Sequence, residues 1–252
     1  MNVYTCKREW PAILTCIYVA WSSREGHQNI RIEYEEARQT NLFDQYTYVA
    51  ADDKKADSVK EAICQKISYR VYRELYYSSL SHADDVADNI YRVLLLGFKF
   101  GPGVLEMYQY REVLRNRDIR QSVSTEVCHF KEFLRFHEIK RGLYVAHIEP
   151  RSRVGEVVAA HFEDRMPSEN WLIVDDTHRE AMVHPRDEHF YIKTLLDSEY
   201  ESLLSTEQFN DQYTDLWKLF FDSIAIEQRR NEACQQGHMP LWTRKHAVEF
   251  MR

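Results

Sequence analysis

Seven glycines and six prolines in 252 residues leave little material for turns, and the scarcity favours long helices over a loop-rich fold. Cysteine is equally sparse. Cys6, Cys16, Cys64, Cys128 and Cys234 are an odd number, widely scattered and without a CxxC pair. The pattern fits reduced thiols better than a disulfide framework or a zinc ribbon, and no CxxxCxxC run offers ligands for a radical iron–sulfur cluster. The longest apolar run, near Val93 to Phe98, is far too short to span a bilayer. The N-terminal MNVYTCKREWP lacks the apolar core of a signal peptide. A reduced, cytoplasmic, membrane-free protein is expected. An excess of positive charge is missing too. With a net charge of −7 the body does not seek polyanions, so any nucleic-acid surface must be a local basic patch. No Gly/Ser linker, repeat or low-complexity tract appears, and one domain over residues 1–252 is expected.

What the chain does have is core material: 44% apolar residues and 13% aromatic, with 16 Tyr and 12 Phe. Val3 and Tyr4 suggest a short strand. Trp10, Ile13, Leu14, Ile17, Tyr18 and Trp21 recur at helical spacing after Pro11. Ile30, Ile32 and Tyr34 alternate with Arg31 and Glu33, and Tyr46 to Ala50 reads as another strand. Asp52 or Asp53 caps a helix carrying Ala56, Val59, Ile63 and Ile67; a further segment runs from Arg70 to Leu80. Asp84 or Asp85 opens a third helix that ends in GFKFGPG, Gly97 to Gly103, before a helix to about Leu114. After Phe136 two hairpins are expected, one around Arg141-Gly142 and one around Asp175 to Arg179, with a short helix at Val154 to Phe162 between them. Phe190 to Lys193 adds an edge strand, and Ser205 with Gln208 opens a last long helix. The expected fold class is α+β, mainly helical, with a small antiparallel sheet built from the two central hairpins.

The richest stretch is RDIRQSVSTEVCHFKEFLRF, Arg117 to Phe136, read as one long helix. At about 100° per residue, Ile119, Val123, Val127, Phe130, Phe133 and Leu134 form an apolar arc, while Arg117, Arg120, Lys131 and Arg135 gather on another side. That basic arc suits a phosphate backbone, or equally a solvated face paired with acids such as Glu132. Glu126 lies inside the apolar arc, where a carboxylate needs a partner, and His129 sits one turn away. The two are candidates for an acid/base couple, with structural hydrogen bonding as the plain alternative.

Three further pieces are candidates. GFKFGPG before a helix resembles a backbone anion cradle with Lys99 as a phosphate contact, although the P-loop spacing is absent and a simple interhelical turn accounts for it as well. HFEDRMPSENW, His161 to Trp171, offers Asp164, Arg165 and Asn170 to a base or sugar with Trp171 as a stacking surface, the plain alternative being an Asp164–Arg165 turn with Trp171 in the core. Arg244, Lys245 and His246 form a basic tail motif. His178, His184 and His189, and separately Cys234 with His238, lack zinc-site spacing, so no metal and no cofactor are expected.

Taken together, ADNIYRVLLLGFKFGPGV, HFKEFLRF, IEP, HFEDRMPSENWLI and RKHAVEF resemble a bacterial family labelled "probable DNA metabolism protein" over nearly the whole chain. Members of that family are encoded beside a radical SAM protein similar to spore photoproduct lyase, and related domains occur fused to a uracil-DNA glycosylase-like domain. The resemblance implies a DNA repair or processing context with a radical SAM partner and DNA or a nucleotide as ligand. Alternatives are a nucleic-acid-acting enzyme using Glu126 and His129, or an interaction scaffold without DNA affinity. The family pattern HHFKGFLRF is met here by Cys128 and Glu132 at its first His and its Gly, with His129, Lys131 and Arg135 in place.

Overall fold

A computed structural model describes residues 1–36, 41–206, 219, 231–241, 244 and 246. Within them the chain groups into two compact units, Met1–Ser124 and Thr125–Arg252. The expected helix over residues 209–224 lies outside the described residues except at position 219, and Lys245 lies outside them too.

In the first unit the strand β1 (Asn2–Cys6) is followed by helix α1 (Trp10–Ser22) and strand β2 (Ile30–Tyr34). A strand, a helix and a second strand in that order return the chain to run parallel, and β2 pairs with β1 in that sense. Strand β3 (Gln45–Tyr48) adds to the other side of β1, also parallel, giving the order β2-β1-β3. Helices α2 (Asp53–Lys66), α3 (Tyr69–Ser79) and α4 (Val86–Phe100) follow, the first two capped by Asp52 and Ser68 through the amides of Lys55 and Val71. The apolar stripes read from the sequence form the core: Ile13, Ile17, Ile32, Ile63, Leu75, Ile90 and Leu94 are all buried.

The open edge of β2 is closed by side chains rather than by another strand. Asp88 of α4 accepts the Ile32 amide at 3.1 Å, and Arg92, ion-paired with Asp88, donates to the Ile30 carbonyl and, at 2.6 Å, to that of His27. One helical turn thus satisfies the Ile32 amide and the Ile30 carbonyl, two of the backbone groups that an edge strand leaves bare.

Helix α5 (Arg111–Phe133) begins six residues earlier and ends three residues earlier than the spacing suggests; of the separate helix expected to about Leu114 it takes in only Arg111 to Leu114, after a 3-10 turn from Pro102 to Glu106. The boundary between the units falls inside it. Val113, Ile119, Val123, Val127 and Phe130 are buried along it, as the apolar arc requires.

The second unit corrects the expected small antiparallel sheet. Strands β4 (His137–Lys140) and β5 (Leu143–Ile148) do form a hairpin, closed at Gly142, whose φ of +76° suits the turn. Strands β6 (Asn170–Asp175) and β7 (Glu180–His184) form another, with β8 (Tyr191–Thr194) on the edge. Helix α6 (Gly155–Arg165) carries the chain back, however, so that β5 and β6 lie side by side and parallel, from Leu143↔Asn170 to Ile148↔Asp175. The result is one mixed sheet of order β4-β5-β6-β7-β8, and with the parallel sheet of the first unit it replaces the predicted arrangement. Gly155 brings α6 close to β7, since a Cβ there would stand 2.7 Å from Met182 Cε. Helices α7 (Asp197–Thr206) and α8 (Glu232–His238) complete the described elements, and no described helix is long and apolar enough to cross a membrane.

Candidate functional site

Parallel neighbours end at the same level, and the residues that follow them share one rim of the sheet. In the second unit that rim is formed where β5 and β6 end. His147 is the penultimate residue of β5, Glu149 follows the strand, and Asp176 follows β6. His147 bonds through Nδ1 to both Asp176 oxygens, at 3.0 and 3.2 Å, with both side chains almost wholly buried. The Tyr200 hydroxyl of α7 also bonds to Asp176; burial first, and then the Asp176 carboxylate, push it up to about 12. Arg179 lies 3.5 Å from the centre of the Tyr200 ring. His246 completes the group. Its ring stacks on His147 with centroids 5.9 Å apart, and its Nε2 stands 3.5 Å from a Glu149 oxygen and 3.6 Å from an Asp176 oxygen. Among the described residues Glu149, Asp176 and His246 are the one set of three able to share a cation, their donor atoms lying within 4.8 Å of one another.

The loop that carries Glu149 is held from α5. Both oxygens of the buried Glu126 accept backbone amides, from Arg151 at 2.5 Å and Ser152 at 3.2 Å. The partner that a carboxylate in an apolar arc demands is therefore main chain, and Glu126 acts on position. His129 packs edge-on to Phe133, with centroids 6.2 Å apart.

A second grouping is cationic. Lys131 of α5 and Arg165 at the end of α6 both bear on His161, whose pKa lies below the usual histidine value through desolvation first and these two charges next. Neither Lys131 nor Arg165 has an ion-pair partner among the described residues, and Arg165 is exposed. Arg135 instead donates to the Glu132 and Leu134 carbonyls, at 3.4 and 3.3 Å.

The remaining predicted residues divide by unit. In the first, Arg120 is bound to Glu74 at 2.7 Å and lies over the Tyr77 ring. Arg117 is exposed, 3.9 Å from Asp118 and over Tyr108. Lys99 lies over Phe100, where Gly101 (φ +81°) ends α4 and a short 3-10 turn follows from Pro102 to Glu106. In the second, Trp171 is fully buried, its ring stacked on His184 at 4.6 Å and near Phe136, so it is a core residue and not a platform for a base. Asn170 ties two loops together, donating to the Gly142 carbonyl and accepting the Arg186 amide. Arg244 donates to the Met239 carbonyl at 2.9 Å.

Sequence reasoning named His246 only as part of a basic nucleic-acid motif and did not single out His147, Glu149, Asp176 or Tyr200. The signal was the strand–helix–strand order from Leu143 to Asp175, which makes the strands parallel and directs attention to the residues just beyond their ends. A family described as a domain of unknown function, DUF4130, matches residues 84–249, about two thirds of the chain. No curated protein matches it.

Proposed function

The chain belongs to the DUF4130 family, and since that description carries no activity, we propose from its second unit that it binds nucleic acid through Lys131 and Arg165. One observation carries this reading: two cations from different elements act on His161, opposed there by the Asp164 carboxylate, and neither has an ion-pair partner among the described residues. Phosphate oxygens supply what such a pair lacks, through charge-assisted hydrogen bonds. On a body of net charge −7 the attraction is local, so the footprint is small and its contribution sensitive to salt. Work in DNA repair or processing, in the cytoplasm and beside a radical SAM partner, belongs to the same proposal; its support is the resemblance described above.

The test is the affinity of the full chain for a fluorescent DNA duplex over a salt series. Binding should weaken steeply with salt, and Lys131→Ala with Arg165→Ala should reduce the slope of log K against log salt by about 1.8, roughly 0.9 per phosphate contact. A bound phosphate should also raise the His161 pKa, followed by NMR, because an anion favours the imidazolium. Affinity and slope unchanged in the folded double variant would refute the assignment.

A further inference from the structure

We propose that Glu149, Asp176 and His246 form a binding site for a divalent first-row metal ion such as Mn²⁺, Fe²⁺ or Zn²⁺. The inference is independent of the phosphate-binding reading, because it rests on other residues and a different measurement.

The spacing is the first argument. His246 Nε2 stands 3.5 Å from the Glu149 oxygen and 3.6 Å from the Asp176 oxygen. A charge-assisted N–H···O⁻ hydrogen bond closes to about 2.8 Å, so both distances are too long for one. Two ligands at about 2.1 Å from a shared tetrahedral ion, by contrast, stand about 3.4 Å apart. The third pair, Glu149 with Asp176, falls within the same 4.8 Å envelope.

The donor set is the second argument. Two carboxylate oxygens and an imidazole nitrogen suit a borderline transition ion, while Ca²⁺ and Mg²⁺ prefer oxygen alone. Three protein ligands leave at least one position for water or a substrate atom, which is the pattern of catalytic rather than structural sites.

The surroundings are the third. Asp176 is hydrogen-bonded by His147 and by Tyr200, so two outer partners fix its orientation, as ligating carboxylates require. Its side chain is only 6% exposed, whereas that of Glu149 is 32% exposed, so the group is reached by solvent from the Glu149 side. The Glu126 clamp on the Arg151 and Ser152 amides holds the Glu149 loop against the strand ends. Two carboxylates brought this close repel one another, and a cation between them removes that cost.

The test titrates the metal-free full-length protein with MnCl₂ and follows unbound Mn²⁺ by its EPR signal, with Co²⁺ absorption as a second probe of coordination. One equivalent should bind, with Zn²⁺ displacing it and Ca²⁺ failing to. Asp176→Asn and His246→Gln should each weaken Mn²⁺ about 100-fold or more, beyond the roughly 10- to 100-fold that loss of an outer partner such as His147→Gln produces. Glu149→Gln, at the most exposed ligand, serves where a buried variant fails to fold. Absence of uptake at millimolar Mn²⁺ by the folded protein, or uptake indifferent to these substitutions, overturns the proposal and leaves His246 as an intramolecular clasp between two acids.

Discussion

Both units pair cations with acids, as Arg153 with Glu180 in the second, but they differ in what is left over. In the first, arginines are absorbed by the fold: Arg8 donates to the Ser81 and Ala83 carbonyls and to Asp84, Arg92 closes the edge of β2, Arg115 grips both oxygens of Asp85, and Arg120 is held by Glu74. In the second, Lys131 and Arg165 keep no acid of their own among the described residues, and two acids gather beside two histidines at the ends of parallel strands. The topology explains part of the contrast. A parallel three-stranded sheet has two open edges, and in the first unit a helix-borne ion pair covers one of them. In the five-stranded sheet β5 and β6 are interior, with strand partners on both sides, so the side chains beyond their ends are not needed to complete the ladder.

Glu126 tests the contrast severely, since like Asp175 it is a buried acid of the second unit employed structurally. Glu126→Ala removes acceptors from two amides and should cost about 3 kcal/mol of unfolding free energy, measured by urea denaturation. A loss under about 1 kcal/mol would mean the loop is fixed by something else. Next in size, Arg92→Met should cost about 2 kcal/mol by the same measurement, because two backbone carbonyls lose a charged donor. A neutral result there would erase the claim that the first unit's cations are structural. The smallest effect is expected of Lys131→Ala combined with Arg165→Ala, which should leave stability within about 0.5 kcal/mol of the parent. A large loss would show this pair to be as structural as the arginines of the first unit.

Much of the fold was legible in the sequence, and the missing part has a definite cause. Helical periodicity placed Trp10 to Trp21, Asp52 to Lys66 and the apolar side of α5, because a stripe is a property of one segment alone. Gly142, with its positive φ, marked the first hairpin for the same reason. Strand partners are not local. LYVAHI and NWLIVD alternate or run apolar whichever neighbour they meet, so the hairpins were read separately and the β5–β6 pairing that joins them was not. The candidate site followed suit. Glu126 was singled out as needing a partner, which backbone amides provide, whereas Glu149 and Asp176 gain meaning only once their strands are neighbours.

The grip of Glu126 has a consequence for which sequences this loop can tolerate. An acid that holds main-chain hydrogens is indifferent to what projects from those residues. What the hold requires of positions 151 and 152 is an amide hydrogen, whatever else their side chains engage. Proline alone is barred at 151 and 152, having no hydrogen to give. The rule for this loop is thereby set by a side chain twenty-five places earlier in the chain.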